Sequence, residues 1–233
     1  VTKSKLWHGM DWQALIQNKK HFTEIAKQGF PASINMMTVA LGIFVITWFI
    51  SHFSTAGVAA YGIATRVEQI ILLPTIGLNI AVLTLTGQNN GAGRWDRVKE
   101  IWIKSTTYGT IMMLVGGFIL FFACTPLMAF FTNDQEVITI GTDYLKIAAI
   151  TLCSYVVLFQ TVFMLQGLKR PMYAIWIGLY RQILAPCVVF YLLAFVLNWQ
   201  LFGIWWGIFL VAWSAAIVTW LYGRWTLNRI VAT

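Results

Sequence analysis

The sequence predicts an all-α membrane protein, a bundle of six transmembrane helices, and three observations predict it. Of 233 residues, 59% are hydrophobic and only 10% are charged. Soluble domains carry about 25% charged residues, so lipid is the solvent for most of this surface. The apolar residues gather into six runs, each near the ~20 residues that cross a bilayer. Lys and Arg gather in alternate gaps between those runs.

The runs cover residues 30–50, 58–86, 107–131, 145–166, 172–196 and 201–222. The second is long enough to tilt or kink and holds Pro74, and the fifth holds Pro186. Proline removes a backbone donor and bends a helix; such bends serve as hinges or as fixed curvature. Gly203 and Gly207 in the sixth run permit close helix packing. The 12 Trp, 16 Phe and 8 Tyr suit helices whose ends lie at the membrane interface.

The charges set the topology. Lys3, Lys5, Lys19, Lys20 and Lys27 precede the first run, and no cation lies between the first and second. Arg94, Arg97, Lys99 and Lys104 follow the second, whereas Asp134, Glu136 and Asp143 follow the third. Lys169 and Arg170 follow the fourth, the next gap has none, and Arg224 and Arg229 close the chain. This alternation predicts six spans in a cytoplasmic (inner) membrane, with both termini in the cytoplasm. Residues 1–28 read as a cytoplasmic linker or as a helix lying on the inner surface, because Leu6, Trp7, Trp12, Leu15, Ile16 and Phe22 are interleaved with lysines. Residues 29–223 form the transmembrane unit and 224–233 a cytoplasmic tail. The leading segment has no long apolar core and is not a signal peptide; its start at Val1 suggests an earlier part.

Several chemistries are poorly supported. Cys124, Cys153 and Cys187 lie inside apolar runs as small hydrophobes, with no disulfide implied. His8, His21 and His52 give no metal pattern, and no nucleophile–base set or phosphate loop is present. The reading is therefore not an enzyme, with no metal and no cofactor. No filter-like motif or ring of charges supports a channel, and the net charge of +8 is explained by topology rather than by nucleic acid.

Polar groups inside lipid are costly and mark functional positions. Glu68 lies about 15 Å from the outer end of the second run, near the midplane. Arg181 enters the fifth run to a similar depth from the opposite side. Matched depth and opposite sign predict a Glu68–Arg181 ion pair, either static or alternating with a transported cation. Asn35, Thr38, Gln69, Asn79, Thr84, Gln160, Gln166 and Gln182 are the other polar residues within runs, each lining a cavity or bonding a neighbouring helix.

The stretch Val58-Ala-Ala-Tyr-Gly-Ile-Ala-Thr-Arg-Val-Glu-Gln-Ile-Ile-Leu-Leu-Pro74, with the loop Gly87-Gln-Asn-Asn-Gly-Ala-Gly-Arg94, resembles the eighth span and following loop of the MATE (multidrug and toxic compound extrusion) transporters. Gly29-Phe-Pro31, Gln166-Gly-Leu-Lys-Arg-Pro171 and Gly203-Ile-Trp-Trp-Gly207 add to the likeness, which covers essentially the whole chain. The resemblance implies the C-terminal six-helix lobe of a twelve-helix exporter, its partner an N-terminal six-helix lobe. It implies antiport of organic cations or amphiphiles against sodium or protons through a cavity between the lobes. Many members carry a cation-binding Glu in the seventh span and an Asp in the tenth; here Asn35-Met-Met-Thr-Val39 and Ser154-Tyr-Val-Val-Leu158 hold no acid. Glu68 is then the candidate charged group, with Asn35, Thr38, Tyr155 and Gln160 as candidate liners of the substrate and ion pathway. A flippase of lipid-linked substrates in the same superfamily, favoured by Arg66 and Arg181, and a non-transporting scaffold are the alternatives.

Overall fold

A computed structural model describes residues 37–231. Within the bilayer no water satisfies backbone groups, so each apolar run closes its hydrogen bonds internally as a helix. The described elements are α1 (Met37–Ser51), α2 (Thr55–Gly91), α3 (Trp95–Phe131), α4 (Gln135–Gly167), α5 (Met172–Val196) and α6 (Gln200–Val231). Five are long and apolar enough to cross a membrane, and α1 is a shorter apolar helix. The leading segment and the first residues of the run 30–50 lie outside the described residues.

The helices overrun the apolar runs that predict them. At 1.5 Å per residue α2 is about 55 Å long, against a hydrocarbon core of about 30 Å. Polar turns at its ends continue the helix into the headgroup layer. α3 starts at Trp95 and α4 at Gln135, each more than two turns ahead of its apolar run. Ser54 caps α2 through the Gly57 amide at 3.0 Å, and Asp134 caps α4 through the Glu136 amide at 2.9 Å. α6 runs on through Val231, so residues 224–231, read from sequence as a tail, continue the helix. The α2–α3 turn is closed by Gly93 at φ +67, a left-handed conformation that glycine adopts without steric cost.

Long-range contacts fix which ends meet. Asn90 at the end of α2 donates to the Gly167 carbonyl at the end of α4 (3.2 Å). Trp102 near the start of α3 donates to Thr161 of α4 (3.0 Å). The Tyr173 ring of α5 stacks on Tyr222 of α6 at 4.1 Å. These contacts bring Arg94–Lys104, Lys169, Arg170, Arg224 and Arg229 to one end of the bundle, the segregation that the charge alternation predicts.

α4 is the central helix: 67% of its most apolar stretch is buried, against 22% in α2 and 28% in α3. Outer faces carry large exposed apolar side chains, such as Leu114, Phe118 and Phe122 of α3, as lipid contact requires.

α5 spans the predicted residues but is not one regular helix. Tyr180–Leu184 and Tyr191–Val196 are π-helical, and the Ala185 amide bonds back to the Tyr180 carbonyl. The first wide turn directly precedes Pro186, which opens the short α-helical stretch Ala185–Phe190. A proline ring clashes with the turn before it and removes a donor; widening that turn relieves both. Pro74 and Pro126 lie inside α2 and α3, which remain α-helical throughout.

Candidate functional site

α2 buries Ala60, Tyr61, Ala64, Val67, Glu68, Thr75, Asn79, Val82 and Thr86 along one side. Spacings of three, four and seven residues keep them on one side of the helix, and α4 packs against it. Small residues let the helices approach, and Glu68 and Asn79 then find partners across the seam.

The Tyr144 hydroxyl of α4 donates to Glu68 Oε2 at 2.7 Å. Both residues are buried. Tyr61, two turns before Glu68 on the same side of α2, meets the Tyr144 ring edge to face at 5.5 Å. Trp205 of α6 closes the group, 5.0 Å from Tyr144 and stacked at 6.1 Å on Tyr61. A single carboxyl group is thus bonded to one member of an aromatic cluster contributed by three helices, an aromatic box. When ionised it accepts from Tyr144; when protonated it is itself a donor. The bonding of the box therefore depends on what the carboxyl carries.

The expected Glu68–Arg181 ion pair is not the arrangement observed. Among the described residues the ion pairs are Lys104–Glu100 and Lys146–Asp143. Arg181 lies in the first π turn of α5, with its guanidinium 5.7 Å from the ring centres of both Tyr155 and Phe159 of α4. That is cation–π distance. The aromatic rings take the contact that matched depth assigned to the carboxylate.

The other candidates separate. Tyr155 is half-buried under Arg181. Thr38 is buried on α1, and Asn35 lies outside the described residues. Gln160, fully buried, donates to Asn79 Oδ1 of α2 at 2.8 Å, a structural tie between α2 and α4, and its own Oε1 has no hydrogen-bond partner. Asn79→Leu removes the acceptor from the buried Gln160 amide as well. That should lower stability by about 1–3 kcal/mol, the cost of an unsatisfied buried polar group, read as a lower unfolding temperature in detergent. Arg66 and Gln69 are exposed on the other side of α2. Sequence reasoning missed Tyr144 and Trp205 as site residues, and treated Tyr61 only as part of a motif. An aromatic at the seventh residue before an intramembrane acid was the available signal.

The chain is 30% identical over 146 residues to "Probable multidrug resistance protein YoeA" of Bacillus subtilis, covering 60% of this chain and 30% of that protein. It is 26% identical over 171 residues to an FAD transporter of Shewanella oneidensis, covering 71% and 37%. An outward-facing structure of a multidrug resistance MATE family transporter superposes with a TM-score of 0.87 at 18% identity, covering 93% of this chain and 49% of that one. The chain thus spans about half the length of the solved structure it matches, and its matches cover about a third of the curated relatives. The sequence matches the MatE family over residues 31–192; with the fold in agreement, this multi-pass membrane chain belongs to the MatE, multidrug and toxic compound extrusion, family.

Proposed function

We propose that the chain is the C-terminal lobe of a secondary-active exporter, working with an N-terminal six-helix lobe in the cytoplasmic membrane, both termini in the cytoplasm. The exporter expels organic cations or amphiphiles by antiport against protons or sodium. Family membership and the multidrug names of relatives such as YoeA support the substrate class. The observation that carries the coupling is the Glu68–Tyr144 hydrogen bond inside the aromatic box. It gives this lobe one intramembrane carboxylate, at a different position from the family's seventh- and tenth-span acids.

Binding of the coupling ion at Glu68 and of substrate between the lobes would favour different lobe arrangements, and each shifts the population the other depends on. The broken helix α5, with Arg181 in its first wide turn, supports a mobile wall beside that box.

The test is ethidium efflux from a pump-deficient bacterium. Cells expressing the chain together with its native upstream sequence should export dye, and cells expressing the chain alone should not, because a cavity between lobes needs two walls. Equal export by both would refute the two-lobe reading. No export by either would weaken the efflux reading and make the flippase of lipid-linked substrates, which the cationic Arg181 over the Tyr155 ring supports, the next to test.

A further inference from the structure

The basic end of the bundle carries a cleft unconnected with the Glu68 box. It lies between the first turns of α3 and the last turns of α6, has a volume of about 370 Å³, and is lined by Lys99, Trp102, Ile103, Thr106, Thr107, Trp220, Arg224, Leu227 and Asn228. Small-ligand pockets occupy roughly 300–1,000 Å³. On α3 the lining residues recur at three- and four-residue steps from Lys99, and on α6 likewise from Trp220. Each helix therefore presents one coherent face.

The cleft has a polar mouth and an apolar floor. Lys99 and Arg224 are exposed at the mouth, and neither is in an ion pair among the described residues. Of the two acids in the first turns of α3, Glu100 is engaged by Lys104 at 2.6 Å, and Asp96 forms no ion pair with Lys99 or Arg224. The guanidinium of Arg224 rests 5.5 Å from the Trp220 ring, which preorganises it without neutralising it. The floor is the buried Trp102, held by its bond to Thr161, together with Leu227. Thr106 adds a hydroxyl that has no hydrogen-bond partner. Trp95, Trp102, Trp220 and Trp225 all lie at this end, the depth at which tryptophan marks the headgroup layer.

We propose that this cleft binds an anionic phospholipid of the adjoining leaflet. The phosphate is held by Lys99 and Arg224, with Asn228 and Thr107 as neutral donors. The glycerol and first acyl carbons lie along Trp220, Ile103 and Leu227. Two uncompensated cations select a net negative headgroup over a zwitterionic one, since each Lys or Arg near an anionic surface adds favourable energy. The apolar floor selects a lipid over a free anion.

The experiment is native mass spectrometry of purified full-length protein released from mixed micelles of phosphatidylglycerol and phosphatidylcholine. The parent should retain phosphatidylglycerol in preference, and Lys99→Gln with Arg224→Gln should cut that preference roughly tenfold or more. Arg94→Gln with Arg97→Gln removes two cations outside the cleft and should leave it intact. Unfolding temperatures in phosphatidylcholine confirm that both double variants fold. Three results would overturn the proposal: unchanged preference in the Lys99/Arg224 variant; equal loss in the Arg94/Arg97 variant, which would mean diffuse surface charge; or displacement of the lipid by millimolar inorganic phosphate, which would mean a free-anion site.

Discussion

Glu68→Gln in the full-length transporter should reduce concentrative ethidium efflux to the level of cells lacking the protein, while leaving its amount and fold unchanged. The substitution is chosen for what it keeps. A glutamine carbonyl occupies the place of Oε2 and still accepts the Tyr144 hydroxyl, now at 2.7 Å from the carboxylate, so the aromatic box stays closed. What it loses is the capacity to gain or release a proton or to hold a cation. A purely structural Glu68 would tolerate the change. Glu68→Ala is the contrasting variant: it strands a buried tyrosine hydroxyl, at a cost of about 1–3 kcal/mol, and should lower the unfolding temperature as well as transport. Tyr144→Phe removes the partner but keeps the carboxyl group, and should impair efflux only in part. Normal efflux by the glutamine variant would sink the coupling role and leave Glu68 as a fixed polar tie between α2 and α4.

What the sequence revealed and what it concealed divide on physical grounds. The number of spans was legible because hydropathy and cation bias are independent, and the cations fall in every second gap that hydropathy marks. Contacts such as Asn90 to Gly167 and Tyr173 to Tyr222 bring the basic segments to one end accordingly. Glu68 was legible because an acid within an apolar run is conspicuous on one-dimensional inspection. Its partner was not. Tyr144 falls one residue before the apolar run that begins at 145, between Asp143 and Lys146, and reads as loop. The helix in fact begins at Gln135, which places Tyr144 more than two turns inside it, facing α2. Hydropathy finds where the hydrocarbon is, whereas helices end where their caps are.

Arg181 shows the complementary limit. Depth along the membrane normal is readable from sequence, but position around the bundle is not. Two residues at one depth meet only if their helices are neighbours with the right rotation, and the π turn at Tyr180–Leu184 changes the rotation of α5 just where Arg181 lies. Tyr155 and Phe159 of the central helix then intercept the guanidinium.

Gly203→Val should damage folding severely at a position outside the site. A Cβ at Gly203 would stand 2.8 Å from the Leu193 carbonyl carbon, 2.9 Å from its oxygen and 3.0 Å from the Ala194 nitrogen. All three are backbone atoms, which cannot rotate aside as a side chain does. Between helices in lipid, close packing replaces the hydrophobic drive that water would supply, so separating α5 from α6 here loses much of what holds them together. The affected stretch of α5 is the second π segment, Tyr191–Val196, whose geometry the crossing with α6 supports. Overpacking of this kind costs about 1–3 kcal/mol in a close-packed core, and a valine adds two methyl groups beyond the clashing Cβ. Gly77→Ala is the control, since a Cβ there meets nothing within 4 Å. It should be neutral, or stabilising by up to about 1 kcal/mol through helix propensity. The readout is the fraction unfolded by sodium dodecyl sulfate in mixed micelles. If the two variants unfolded together, the close crossing at Gly203 would not be what fixes the broken helix against α6.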